Sequence, residues 1–145
     1  MKNIWITGAS SGIGRATAKA FANAGGNRLI LSARRTIRLE AMKNDFESNY
    51  DCEVVCCPLD VTKKEACQTA FDQLPESCKP IDLLINNAGL AKGLAPIHEG
   101  DYDHWETMID TNIKGLLYMS KIVSADMVDR QHPGMIINTA STAGK

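Results

Sequence analysis

The stretch Asn3–Gly14, Asn-Ile-Trp-Ile-Thr-Gly-Ala-Ser-Ser-Gly-Ile-Gly, limits what this chain can fold into more than any other. A short apolar run, Ile4-Trp5-Ile6, stops at Thr7, and glycines follow at Gly8, Gly12 and Gly14. Arg15–Ala24 comes next, alanine-rich and free of breakers, and reads as a helix. Strand, glycine loop and helix in this order place unpaired N–H groups and a positive dipole end where an anion can sit. Glycine suits such a loop because a side chain would hold a phosphate away from the backbone, and because tight turns often need positive φ. The spacing is G-x-x-x-G-x-G, which differs from the G-x-G-x-x-G fingerprint of other dinucleotide sites.

The rest of the chain alternates in the same way. Strands are predicted at Asn3–Ile6, Arg28–Ala33, Glu53–Pro58, Ile81–Ile85 and Met135–Thr139, and helices at Gly12–Ala24, Arg35–Ser48, Lys63–Gln73 and Tyr102–Arg130. Near-continuous apolar strands separated by helices predict an α/β fold, a doubly wound parallel sheet covered on both faces. Gly25-Gly26-Asn27 closes the first helix in the manner of C-terminal glycines. At 145 residues one domain is expected, 1–145. The net charge of −1 gives no global attraction to nucleic acid or anionic membrane. No apolar run approaches the ~20 residues of a membrane span, and a cytoplasmic location is the expectation. Five cysteines without a C-x-x-C pair argue against a disulfide framework or zinc site, so buried thiols are expected. His98, His104 and His132 are scattered, and no metal is expected.

Several positions carry chemistry. NAD sites usually place an acid after the second strand, to bond the ribose 2′-hydroxyl. Here Arg34-Arg35 stands instead, and guanidinium forks suit a 2′-phosphate, so NADP is expected. Asp60 falls at the end of the third strand, with Thr62 as a candidate N-cap and Glu65 completing a capping box. The fourth strand ends Asn86-Asn87-Ala88-Gly89, two amides able to tie strand ends together and two residues small enough for close approach. In the long helix Trp105, Ile109, Leu116, Val123 and Met127 share a face with the polar Asn112, and Gly115 lies in the helix interior. Ser141 follows the last strand, at the carboxyl edge of the sheet beside the crevice.

Thr7-Gly8-x-x-x-Gly12-x-Gly14 followed by Asn86-Asn87-Ala88-Gly89 resembles the short-chain dehydrogenase/reductase family, whose fold is Rossmann-like. The resemblance implies that Gly8, Ser10, Ser11, Gly12, Ile13, Gly14, Arg34, Arg35, Asp60, Val61, Asn87, Ala88 and Gly89 bind the cofactor. It implies that Asp60 contacts the adenine ring, Asn112 holds a water in a proton relay and Ser141 bonds the substrate oxygen. Leu90-Ala91-Lys92-Gly93 and Trp105–Asn112 look most like NADP-dependent 3-hydroxy acid dehydrogenases, implying a small-molecule substrate such as serine or allo-threonine. A homo-oligomer, dimer or tetramer, is implied for the full-length protein.

The family also uses a Tyr with a Lys four residues on. Tyr50, Tyr102 and Tyr118 are followed at that distance by Val54, Glu106 and Ile122. The chain is therefore expected to be a fragment, truncated after the fifth strand and inactive alone. A non-catalytic NADP-binding sensor or scaffold, and a methyltransferase, stay open as rivals.

Overall fold

A computed structural model describes residues 1–142. Five strands, β1 (Lys2–Thr7), β2 (Asn27–Ala33), β3 (Cys52–Pro58), β4 (Leu83–Asn86) and β5 (Met135–Asn138), form one sheet. Its order is β3-β2-β1-β4-β5, and every pairing is parallel. The helices are α1 (Gly12–Ala24), α2 (Thr36–Asn49), α3 (Lys64–Asp72), α4 (Tyr102–Ile109) and α5 (Leu116–Asp129). No described helix is long and apolar enough to cross a membrane.

The parallel strands are apolar on both sides because each side is covered. Ile4, Ile6, Leu29 and Leu31 pack with Ala18, Ala22, Leu39 and Phe46 of α1 and α2. Trp5, Ile30 and Leu84 face the other way, onto Cys67 of α3 and Met119, Val123 and Met127 of α5. Trp5 is fully buried, and its indole N–H donates to Ser32 Oγ at 2.7 Å, so burial leaves no polar group unmet. The strand order reverses between β1 and β4. That reversal opens a crevice at the carboxyl ends of the strands, where open α/β sheets hold ligands.

The expected strands and helices form with ends shifted by two residues or fewer, apart from the long helix. Between α4 and α5 the backbone makes a π-helical turn, Asp110–Gly115. One added residue in the hydrogen-bonded ring rotates the faces before and after it. Ile109, expected to face inward, is 44% exposed, while Met119, Val123 and Met127 remain buried. Gly115 has a packing reason: a Cβ there would lie 2.7 Å from Val61 Cγ2 and 3.2 Å from the Val61 carbonyl.

Two further expectations are corrected. Thr62 does not cap α3, whose boundary residue is Lys63 and carries no side-chain cap, so no capping box forms with Glu65. Thr62 turns back to Asp60 instead, because an Asx-type turn offers its N–H and hydroxyl a carboxylate two residues away. Of the cysteines, Cys57, Cys67 and Cys78 are buried, whereas Cys52 and Cys56 are half-buried at the flank of β3; all five are free thiols.

Candidate cofactor and active site

A cleft of about 960 Å³ opens at the carboxyl ends of the strands. The β1–α1 loop, the ends of β2 and β3, the segment after β4, the π turn and the segment after β5 all contribute to its walls. Every residue expected to bind the cofactor or take part in catalysis lines it except Gly14.

The loop is shaped by close backbone approaches. Gly8 has φ +64°, and a Cβ on it would lie 2.8 Å from Ala88 Cα. Only glycine admits that conformation at that distance. Thr7, buried at the end of β1, joins the two halves of the sheet. Its hydroxyl accepts the N–H groups of Asn87 and Ala88, both at 3.1 Å, and donates to the Ile85 carbonyl at 3.4 Å. Gly14 lies beneath the cleft floor, where a Cβ would fall on the Gly8 carbonyl oxygen. α1 then begins with no side-chain cap at Ser11 and no acid in its first turn. Its N-terminal N–H groups and positive dipole end are thus left to the cleft.

Asn86 and Asn87 tie strand ends as expected. Asn86 Nδ2 donates to Ser120 Oγ and to Asn138 Oδ1, both at 2.9 Å. Asn87 Nδ2 donates to the Gly8 carbonyl at 3.2 Å, and its Oδ1 accepts from Thr139 Oγ1 at 3.4 Å.

At the end of β2 two guanidinium groups flank the cleft. Arg35 Nη2 donates to Ser10 Oγ at 3.3 Å and Ser11 Oγ at 3.4 Å, reaching back over the glycine loop. Among the described residues neither Arg34 nor Arg35 forms an ion pair with a carboxylate. Two cations beside a cleft, neither committed to an ion pair, make an anion site. Asp60, on the adjoining wall, holds its charge. Burial pushes its carboxyl pKa up, but the Thr62 hydroxyl and N–H, then Arg34 and Lys63, outweigh burial and set it below its usual value.

The opposite wall is built from the π turn and the segment after β4. Both ends of the Asn112 amide grip one residue: Oδ1 accepts the Leu90 N–H at 2.9 Å, and Nδ2 donates to the Leu90 carbonyl at 2.8 Å. The polar group on the helix stripe is satisfied by a neighbouring backbone. Farther along, the Lys92 N–H donates to Met108 Sδ at 3.4 Å, and Gly93 lies against His104. Thr107, Asp110 and Thr111 extend this wall, with Asp110 paired to Lys114 at 2.7 Å. Ser141, exposed, lines the cleft after β5. Tyr50, Tyr102 and Tyr118 lie elsewhere: Tyr50 stacks edge-on with Phe46, Tyr102 with Trp105, and Tyr118 packs against the core.

Sequence reasoning missed Thr7 as the hub of the loop and missed Leu90, Ala91, Thr107 and Thr111 as wall residues. A threonine ending an apolar run directly before the first glycine was the available signal for Thr7. The Leu90–Asn112 contact spans 22 positions and leaves no local pattern. Among the described residues no group of three His, Cys, Asp or Glu could hold a metal.

A family model for short chain dehydrogenase matches residues 2–145. The chain is 43% identical over 141 residues to the NADP-dependent 3-hydroxy acid dehydrogenase of Salmonella typhi, covering 97% of this chain and 54% of that protein. It is 40% identical over 142 residues to sulfoacetaldehyde reductase 2 of Chromohalobacter salexigens, covering 98% of this chain and 55% of that protein. Among solved structures it is similar to the closed form of serine dehydrogenase complexed with NADP+. There the TM-score is 0.87 at 40% identity, over 97% of this chain and 54% of that one. The chain thus spans about half the length of the curated relatives it matches. The methyltransferase alternative falls with these matches. From its second residue to its last, this chain belongs to the short-chain dehydrogenase family.

Proposed function

We propose that the full-length protein is an NADP-dependent oxidoreductase acting on a small 3-hydroxy acid such as serine or allo-threonine, and that residues 1–145 form its dinucleotide-binding domain. The carrying observation is the pair Arg34 and Arg35, neither ion-paired among the described residues, beside an uncapped helix N-terminus in the cleft. A dinucleotide with a 2′-phosphate fits this donor set, with its diphosphate at one end and a third phosphate within reach of two guanidinium groups.

In this reading Gly8, Ser10, Ser11, Gly12 and Ile13 hold the diphosphate, and Gly14 shapes the turn from below. Arg34 and Arg35 take the 2′-phosphate, Asp60 and Val61 border the adenine, and Asn87, Ala88 and Gly89 border the ribose. The bound nicotinamide supplies or accepts the hydride at the substrate carbon. Ser141 donates a hydrogen bond to the substrate oxygen and orients it. Because Leu90 occupies both ends of the Asn112 amide, Asn112 meets the relay water through its backbone in the π turn. Moving the proton on the substrate oxygen falls to a Tyr–Lys pair supplied outside these 145 residues.

The likeness to a 3-hydroxy acid dehydrogenase supports the substrate class, and the likeness to a sulfoacetaldehyde reductase favours a second reading: a short aldehyde carrying a sulfonate where the first class has a carboxylate. A sensor or scaffold without turnover is the rival outside catalysis. NADP+-dependent oxidation of serine, allo-threonine and 3-hydroxypropionate, and NADPH-dependent reduction of sulfoacetaldehyde, by the full-length protein test these readings together. Turnover of a hydroxy acid supports the first, turnover of sulfoacetaldehyde alone the second, and no turnover with tight NADPH binding the sensor. We propose the same full-length protein as a cytoplasmic dimer or tetramer, which light scattering checks.

A further inference from the structure

Lys43 and Glu47 stand one turn apart on α2, beside the outer edge of β3. β3 ends the sheet. Among the described residues β2 is its only strand partner, so its far side carries backbone N–H and C=O groups that no strand pairs. At Val54 both of those groups are taken by side chains. The Val54 N–H donates to Glu47 Oε1 at 2.8 Å, and Lys43 Nζ donates to the Val54 carbonyl at 2.6 Å. Lys43 Nζ also donates to Glu47 Oε1 at 2.9 Å, which closes the two side chains and one residue of strand into a ring. A Lys–Glu pair at this helical spacing adds little by itself; here each partner also meets a backbone group that otherwise lies open. Burial pushes the Glu47 carboxyl up, but the Lys43 hydrogen bond and the Val54 N–H outweigh it and hold the carboxyl below its ordinary value. Glu47 is therefore a charged acceptor at neutral pH.

The rest of the edge is closed by other means. The Cys52 N–H donates to the Tyr50 carbonyl at 3.0 Å, and Pro58, which faces the same side as Val54, has no N–H to offer. The open run is thus cut to Cys56, between two covered positions. Without Lys43 and Glu47 it extends back through Val54. The stretch Val54-Val55-Cys56-Cys57 is uncharged and rich in strand formers, a composition that pairs readily with its own kind. We propose that Lys43 and Glu47 guard the outer edge of β3, occupying the hydrogen-bonding positions through which a second copy of this chain would add its own β3. Two such edges meet around a twofold axis, each offering the other the same N–H and C=O groups. The guard is a contact built into the fold that keeps this surface closed.

The test compares the natural full-length protein with the double variant Lys43→Ala/Glu47→Ala and with Glu47→Gln. A control, Lys64→Ala/Glu65→Ala, removes an exposed pair of the same charges from the start of α3. Urea unfolding sets conditions in which each protein is folded, and sedimentation velocity then follows mass as concentration is raised. Hydrogen exchange read by mass spectrometry follows the Cys52–Pro58 stretch in the same samples. The double variant exchanges faster at Val54 when dilute. When concentrated it roughly doubles its weight-average mass and regains protection in that stretch. Glu47→Gln keeps an acceptor for the Val54 N–H and holds the natural mass, as does the α3 control. Should the double variant fail to fold, Glu47→Ala, which uncovers the N–H alone, carries the test with the same readouts. A mass that stays at the natural value while exchange at Val54 rises overturns the proposal. Association that protects another segment, or that the α3 control shows equally, overturns it as well.

Discussion

Gly14→Ala adds one methyl group to the most crowded point of the glycine loop. A Cβ there falls on the Gly8 carbonyl oxygen and lies 2.5 Å from Asn87 Nδ2 and 2.9 Å from the Gly8 carbonyl carbon. Those groups are the two partners of the hydrogen bond that joins β1 to the segment after β4. Overpacking costs about 1–3 kcal/mol, and the upper part applies because backbone cannot rotate aside. The strained hydrogen bond adds about 0.5–1.5 kcal/mol. Alanine in place of glycine in a helix returns about 1 kcal/mol. The net is a loss of about 2–3 kcal/mol, which lowers the urea midpoint by roughly 1 M at unchanged slope. Gly12→Ala is the contrast: φ there is +53°, but nothing lies within 4 Å of the added methyl. It costs about 1–2 kcal/mol of backbone strain and puts the methyl on the cleft wall, where it weakens NADPH binding. Urea unfolding of both variants in the full-length protein decides. A midpoint for Gly14→Ala equal to the natural one, or shifted less than that of Gly12→Ala, refutes the packing argument.

Thr7→Val leaves two part-buried N–H groups, of Asn87 and Ala88, without their acceptor and destabilises by about 1–3 kcal/mol, read from thermal or urea unfolding. Among the described residues Arg35 bonds two hydroxyls, so Arg35→Ala changes stability by less than about 0.5 kcal/mol while NADPH affinity falls at least tenfold and NADH affinity hardly moves. Asp60 has a folded pKa below its ordinary 3.8, so its contribution to stability is present above the unfolded pKa and is lost as pH falls through the folded one. Carboxyl NMR checks this: Asp60 titrates below an ordinary aspartate, and Thr62→Val raises it. Burial first, then nearby acids, pushes the Cys56 thiol up to about 11, and burial and Asp60 do the same for Cys67. Iodoacetamide at pH 8 therefore leaves buried Cys67 unmodified in the native protein, as peptide mass mapping would show.

The sheet, its parallel sense and the cleft-lining loops were legible because each rests on a local signal. Apolar runs with β-branched residues marked strands, and glycine clusters marked the turns beside them. Arg34 and Arg35 were legible for a different reason, since they follow the second strand where NAD sites place an acid, and guanidinium forks suit a 2′-phosphate. What the sequence hid depends on contacts between distant positions. The π turn adds a residue to the helix without altering its composition, so helical periodicity carried Ile109 to the wrong face. Thr62 looked like a cap because its hydroxyl can accept a backbone N–H, yet that hydroxyl donates to the Asp60 carboxylate and the boundary residue of α3 is Lys63, one position further on. The close packing at Gly14, where a Cβ would fall on the Gly8 carbonyl, also left no trace in the sequence beyond the glycine itself.

The account turns on a cleft that recognises a 2′-phosphorylated dinucleotide through Arg34 and Arg35. Calorimetric titration of full-length protein with NADPH and NADH, repeated in Arg34→Glu, tests this most directly. The account predicts at least tenfold tighter binding of NADPH, with the preference abolished by the charge reversal. Equal affinities in the natural protein, or an undiminished preference in Arg34→Glu, would contradict it.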